Sequence, residues 1–573
     1  MFANLAPIVA FWAVVVGISR RFPEGARNCW RTWDRLASKL HTEDLGKTRA
    51  FPFLAIAILP LLLRAVLLPL WPLPHPYVQD EFSYLLQADT FAHGRLTNPT
   101  PALAEFFESG QILVRPSYAS KYPPGHSFVM AIGERLLGHP WFGVWLSCGV
   151  LAAALLWALE GWFAPSWALF GTLLAVPLCS FSYWMDSYMG GSVAAIGGAL
   201  VLGAYPRLTK RKRDSAAWAL AAGFVVLFFT RPYEGLLIAV PTSVLCLRAR
   251  VSARAWVRIA CVGLAGACAL GYYNQRVTGH PFHLPHLEYE AQYQATPMFN
   301  VQLPAAPKQF RYEYMRIIDE VWERKQWENA RRPRFLVDRP LQWIAAAAMF
   351  AGGTGSFLPL VAIRASVVEQ GAIFNLYNLV HIFFMGAMVL APVAVFAWPL
   401  AKGWRTRVAF ILVATSVAGS FFSAAFYQHY AAPAVAPILI LVTGALRYLR
   451  HAVSGGAMLA ALLPLAAIGM SLLDAAPRLL REPSVLRVAL RGRIEDTIKR
   501  RPGPHLIIVR YNGVLRPIEE WVYNGADIDG SQVIWAHDLG QVENRRLIAY
   551  FHDRQVWLFQ PNIDLERIEP YRD

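Results

Sequence analysis

Phe51-Pro-Phe-Leu-Ala-Ile-Ala-Ile-Leu-Pro-Leu-Leu-Leu-Arg-Ala-Val-Leu-Leu-Pro-Leu-Trp-Pro-Leu73 is an apolar run whose only charged residue is Arg64, and the pair Asp80-Glu81 follows just beyond it. A membrane-crossing helix needs roughly 20 mainly apolar residues, and this run is long enough. Two carboxylates at the lip of such a helix are costly to keep in a low-dielectric setting unless they have a task. One loop later comes Lys121-Tyr122-Pro123-Pro124-Gly125. If the chain is an enzyme, its chemistry is expected between these two motifs.

The rest of the composition agrees with a membrane protein. The chain has 573 residues, of which 55% are hydrophobic and 16% charged, with 20 Trp, and its mean hydropathy is +0.34. Soluble chains carry about 25% charged residues. Apolar stretches recur near 3–19, 51–73, 140–163, 166–184, 189–206, 215–230, 235–247, 256–273, 372–399, 408–425, 430–447 and 456–473, which predicts about twelve spans in a mainly α bundle.

Net charge is +16, but its distribution argues for topology rather than nucleic acid. The basic residues cluster in short loops, such as Arg207-Leu-Thr-Lys-Arg-Lys-Arg213, Lys402 to Arg407 and Arg447 to Arg450, with more in the 20–50 segment. Short Lys/Arg-rich loops face the cytoplasm. The first span lacks a basic leader and an Ala-x-Ala-like site, so it is expected to be a retained anchor. Alternating the spans then puts Asp80-Glu81 on the outer side, with external loops at 74–139 and 274–371. In that scheme His126 to Gly138 is a juxtamembrane or re-entrant helix, and Leu341–Leu358 does not cross. The same outer face collects Met185-Asp186-Ser187-Tyr188, Arg231-Pro-Tyr-Glu-Gly235 and Tyr427-Gln-His-Tyr430. The six cysteines show no metal or redox spacing and read as packing residues.

Beyond about Asp474 the character changes. Residues 477–501 alternate Leu/Val with Arg and read as an amphipathic helix on the bilayer surface. His505-Leu-Ile-Ile-Val-Arg510, Gln532-Val-Ile-Trp535 and Arg554-Gln-Val-Trp-Leu-Phe559 read as buried strands, with a helix near Glu543–Phe551. Three regions follow: an anchor and basic segment at 1–50, a transmembrane core at 51–474, and a tail at 475–573. The tail holds the amphipathic helix and a small external α/β domain.

The candidate chemistry follows from residue type. A carboxylate at the membrane lip takes a proton from an attacking hydroxyl or amine, and Asp80 fits that role, with helix capping as the plainer alternative. Lys121, next to Tyr122 and a rigid Pro-Pro unit, supplies a fixed cation for a phosphate leaving group, with Arg115 upstream able to assist. Its plain alternative is a snorkelling interfacial lysine. Arg231 offers a second cation or a structural pair with Glu234. His429 and Tyr430 open a span from outside, where a histidine binds phosphate, moves a proton or ligates a metal. Asp186 either aids Asp80, binds a cation or caps a helix, while Arg64 needs a partner inside the bundle. Asp527-Ile528-Asp529 imitates a nucleotide-sugar motif but sits beside turn signals and reads as a loop.

An outward Asp-Glu after an early span, a long first external loop and a Tyr-Pro-Pro before the next apolar helix resemble the GT-C superfamily of membrane glycosyltransferases. The likeness is to the protein O-mannosyltransferase and lipid A aminoarabinose transferase types. It implies Asp80 as catalytic base, Glu81 as its neighbour in the site and Lys121 facing a lipid phosphate. It also implies a polyprenyl-phosphate sugar donor delivered from the bilayer, and a lipid, glycan or protein acceptor. Gly125 departs from the pattern, since a bulky apolar residue often follows Pro-Pro. No second acidic motif fixes a metal, so a divalent cation remains open. The expected setting is the inner (plasma) membrane, with the site on the periplasmic or extracellular face. The rival readings are a transporter or flippase of lipid-linked sugars and a membrane scaffold with a sensing tail. Neither is favoured, because the polar groups gather at one face and no repeat is visible.

Overall fold

The computed structural model describes residues 23–41, 50–352, 390–480, 487–512 and 520–572. The expected span at 3–19, and that at 372–399 as far as residue 389, lie outside them. The described chain is mainly helical with a small sheet domain at its end. Three of its helices, Trp141–Glu160, Ala253–Thr278 and Gln428–Ala452, are long and apolar enough to cross a membrane. Shorter apolar helices include Phe51–Val66, Pro165–Phe181 and Ala216–Thr230.

Prolines set several of the helix limits. Helix Phe51–Val66 stops ahead of Pro69 and Pro72, and the guanidinium of Arg64 folds back onto the carbonyls of Trp71 (2.6 Å) and Pro72 (3.0 Å). The expected 166–184 span is two helices, Pro165–Leu173 and Val176–Phe181, with Pro177 opening the second. Small residues set the packing where lipid gives no hydrophobic drive between helices. Gly197 in helix Ser192–Thr209 and Gly223 in helix Ala216–Thr230 face each other so closely that a Cβ on Gly223 would lie 2.8 Å from the Gly197 carbonyl.

Over the bundle sits a layer built from the 74–139 segment. Helix Gln79–Ala92 packs on helix Gly125–Leu137 and on a two-stranded antiparallel hairpin, β1 (Ile112–Leu113) and β2 (Ala119–Ser120). The hydroxyl of Ser83 donates to the Gln111 carbonyl (2.6 Å) and pairs with the Ser120 hydroxyl (2.7 Å), fixing the hairpin to the helix. Helices Pro285–Tyr293 and Phe335–Phe350 follow later in the chain.

The tail forms a four-stranded sheet in the order β4-β3-β5-β6, where β3 is His505–Val509, β4 Val533–His537, β5 Gln555–Phe559 and β6 Ile568–Pro570. β3 runs parallel to β4 and β5, while β6 is antiparallel to β5. The three expected strands and the helix (Gln541–Tyr550) are present, and β6 is an addition. Helix Arg487–Lys499 differs from the surface helix expected there. Its Ile494 and Ile498 are buried against Ile507, Val509 and Trp535, so its apolar side faces the sheet rather than lipid. The other sheet face packs on Phe106 and Phe107 of the 3₁₀ turn Ala104–Phe107. Phe82 stacks flat on Tyr523 (4.0 Å, 1°), and Asp89 accepts from the Ala526 amide at 2.7 Å. The tail domain therefore rests on the helix that carries Asp80.

Candidate active site

Helix Gln79–Ala92 begins after the extended Val78, and the chain just ahead of it offers the Tyr77 and Val78 amides to a side chain of the first turn. Glu81 supplies the acceptor. Its Oε2 takes the Tyr77 amide (2.7 Å) and the Val78 amide (3.1 Å), and its Oε1 takes the Tyr188 amide (2.8 Å). The side chain is buried, and burial pushes its carboxyl up to about 7 against those three donors. Successive helical side chains diverge by about 100°, so Asp80 points elsewhere: it is half-buried and accepts the hydroxyl of Tyr122. One member of the acidic pair is committed to the backbone and the other is left for chemistry.

Lys121 leaves the hairpin with its amide on the Gln111 carbonyl (3.3 Å). Its ammonium lies 4.5 Å from the centre of the Tyr289 ring and 5.6 Å from that of Tyr122. Among the described residues it has no carboxylate within 4.0 Å. Burial lowers its pKa, while the fields of Glu323, Asp80 and Glu290 oppose that shift. The Tyr122 ring also stacks on Tyr84 (4.4 Å, 19°). Gly125 explains its own departure from the family pattern. A Cβ there would lie 2.7 Å from the Phe229 carbonyl, so only glycine lets this segment abut the end of helix Ala216–Thr230. The next residue beyond that helix is Arg231.

Arg231 joins helix Ala216–Thr230 to helix Pro232–Arg248 in a non-helical conformation. Its guanidinium stands 4.5 Å from the centre of the Tyr430 ring, and its field reaches Tyr84 and Tyr122. No carboxylate lies within 4.0 Å of it among the described residues, so the Arg231–Glu234 pair is not a salt bridge. Tyr430 and His429 share the 3₁₀ turn Gln428–Ala434, and Asp80's field reaches Tyr430. His429 is buried, with Nδ1 3.0 Å from the Tyr183 hydroxyl and its ring stacked on Tyr427 (5.7 Å, 2°). Beside the Arg231–Tyr430 stack is a small cavity lined by Glu234, Trp343, Ser420 and Tyr430.

Asp80, Lys121, Tyr122, Arg231, His429 and Tyr430 thus gather in one region. Two other candidates stand apart. Asp186 accepts from Trp71 Nε1 (2.9 Å) and lies 3.4 Å from Arg64, supplying the partner that Arg64 needs inside the bundle. Arg115 is exposed, and its field reaches Glu108 and Tyr293; no described contact joins it to Asp80 or Lys121. Sequence reasoning missed Tyr289, Glu290 and Glu323, which lie on helix Pro285–Tyr293 and in the helical stretch Ile317–Glu323. Glu323 accepts from Gln294, and burial pushes its carboxyl up to about 8. Among the described residues, no group of three or more His, Cys, Asp or Glu side chains is placed to hold a metal.

No protein-family model matches the chain, and no curated protein matches it. The likeness found is to solved structures, at low identity. The apo oligosaccharyltransferase of Archaeoglobus fulgidus is 12% identical with a TM-score of 0.43; the match covers 80% of this chain and 62% of that one. The chain thus spans less than two thirds of that protein's length. The same protein in complex with Zn and sulfate matches at 12% identity and a TM-score of 0.47, over 88% and 67% of the two chains. ArnT from Cupriavidus metallidurans bound to undecaprenyl phosphate is 14% identical with a TM-score of 0.37, over 89% and 93%.

Proposed function

We propose that this protein is a polytopic membrane glycosyltransferase of GT-C type, with about twelve spans and its site on the outer face of the inner membrane. It moves a sugar from a polyprenyl-phosphate donor to a hydroxyl or amine on a lipid, glycan or protein acceptor. The observation that carries the reading is a pair of cations, Lys121 and Arg231, with no carboxylate within 4.0 Å of either among the described residues. Lys121 borders Tyr122, which holds Asp80, and the field of Arg231 reaches the same phenol. Withdrawing cations from water without an anion is costly. A lipid phosphate is the anion that completes this arrangement.

The reaction is a single displacement. The acceptor proton passes to Asp80 as the acceptor oxygen or nitrogen bonds to the anomeric carbon. The bond from that carbon to the phosphate oxygen breaks, and the polyprenyl phosphate leaves with the electron pair. Lys121 and Arg231 stabilise the charge that develops on it, a preorganised electrostatic role. Glu81 fixes the start of the helix from which Asp80 acts, and no step passes through a metal. Hydrolysis by two carboxylates is disfavoured, because that chemistry needs the pair to straddle the bond and Glu81 is turned to the backbone.

Transfer of radiolabelled sugar from a polyprenyl-linked donor by the purified full chain tests this. Asp80→Asn is expected to remove at least about 100-fold of the rate; full activity in that variant ends the base assignment. The alternative of a transporter or flippase predicts vesicle translocation without any transfer product.

A further inference from the structure

Two tyrosines do for the cations what carboxylates usually do in buried sites. A buried lysine is ordinarily paired with an acid, which lowers its net charge and occupies its N–H donors. Here the ammonium of Lys121 faces the Tyr289 ring at 4.5 Å and the guanidinium of Arg231 faces the Tyr430 ring at 4.5 Å, both inside cation–π range. A ring attracts a cation through its quadrupole yet carries no net charge to cancel it.

The Tyr289 ring is held in place independently. It is 2% exposed on helix Pro285–Tyr293, and its hydroxyl accepts the Gln111 amide at 2.9 Å. The carbonyl of the same Gln111 accepts the Lys121 amide at 3.3 Å. One residue therefore anchors both the ring and the backbone of the lysine that the ring faces. Gln111 does so with φ at +67°, a left-handed conformation that non-glycine residues seldom adopt and that is held at functional sites by their surroundings.

We infer that Tyr289 is a positioning residue for Lys121: its ring, fixed through Gln111, holds the buried ammonium with its charge and donors available to the donor phosphate. The inference rests on the glycosyl-transfer reading above and adds a residue to it. It also gives a reason for helix Pro285–Tyr293 to pack on the hairpin strand Ile112–Leu113.

The test is binding of undecaprenyl monophosphate to the purified full-length protein, with the matching polyprenyl alcohol as a control. Tyr289→Phe keeps a ring and is expected to stay within about fivefold of wild type, having lost one hydrogen bond. Phenylalanine analogues with two and then five ring fluorines at position 289 keep the shape but drain the ring's negative face. They are expected to weaken phosphate binding stepwise, to on the order of tenfold below Tyr289→Phe. Alcohol binding and melting temperature should stay level across the series, which a purely structural role for the ring would not predict. A flat fluorine series alongside loss of phosphate binding in Lys121→Met overturns the inference and leaves the transfer reading standing. Unchanged phosphate binding in Lys121→Met overturns both.

Discussion

The Tyr122 hydroxyl donates to the Asp80 carboxylate, joining the Lys-Tyr-Pro-Pro segment to the Asp-Glu helix across 42 residues of sequence. The same phenol ring stacks on Tyr84 and lies beside Lys121. Orientation of the base and placement of the cation therefore share one side chain. Tyr122→Phe keeps the stack but removes the hydrogen bond. Bonds to a charged group contribute about 1.5–3 kcal/mol, and part of that is expected as a fall in kcat of about 5- to 50-fold. Donor KM should barely move, because the ring beside Lys121 remains. A rise in KM with kcat intact would reverse the assignment of the phenol to Asp80.

Glu81 offers two acceptor oxygens to three backbone amides from two separate segments. Glu81→Gln keeps its size but turns one oxygen into an N–H donor facing an N–H. Leaving a buried donor unmet costs about 1–3 kcal/mol. The variant should melt at lower temperature and lose activity in step with the loss of fold. Full stability with activity abolished would instead make Glu81 a reacting group.

Asp186 and Arg64 come from positions 122 residues apart and meet at 3.4 Å, with Arg64 wholly buried. Removing one partner of a buried pair costs about 3–5 kcal/mol, while replacing both with apolar groups is often neutral. Asp186→Ala is thus expected to destabilise the protein by several kcal/mol at most, given that Arg64 keeps two carbonyl acceptors. Arg64→Met in the same chain should recover much of that loss. Thermal unfolding of the two single variants and the double variant measures the coupling, and additive losses would show that the pair is not coupled.

That pairing marks where sequence reading ran out. Asp80, Lys121, Arg231 and Tyr430 were legible because each is a polar residue set against an apolar run, where a charge without a task is costly. The tail strands were legible from their Ile, Val and Trp content. Arg64 plainly needed a partner, yet nothing in the chain named Asp186, since contacts between distant segments leave no local signal. The sequence leaves Asp186 open between aiding Asp80, binding a cation and capping a helix, and the structure sets it beside Arg64 and Trp71. Tyr289 and Glu323 lie in a polar segment without helical or strand periodicity, where one Tyr or Glu reads like any other. The amphipathic pattern of Arg487–Lys499 was real, but the same pattern serves a sheet face as well as a membrane.

Glu323 gives the site a pH dependence whose sign follows from its surroundings. Burial pushes its carboxyl up to about 8 from an ordinary 4.5, with Lys121 opposing the shift and Asp319, Glu290 and Asp80 adding to it. Below that value the group is neutral and the field at Lys121 is left to the donor phosphate. As pH rises through about 8, Glu323 ionises and its charge competes with the phosphate for the ammonium. Donor KM is therefore expected to climb on the alkaline side by at least about tenfold, since a unit charge within roughly 12 Å at an effective dielectric near 20 contributes about 1.4 kcal/mol or more. Glu323→Gln imitates the neutral form and should remove that climb while leaving KM at pH 6 to 7 unchanged. Any alkaline limb that survives in Glu323→Gln belongs to loss of the Lys121 proton, and Lys121→Arg should abolish it, because a guanidinium stays charged throughout. Initial rates against donor concentration from pH 6 to 9.5 separate the two, and an unchanged limb in Glu323→Gln removes Glu323 from the site.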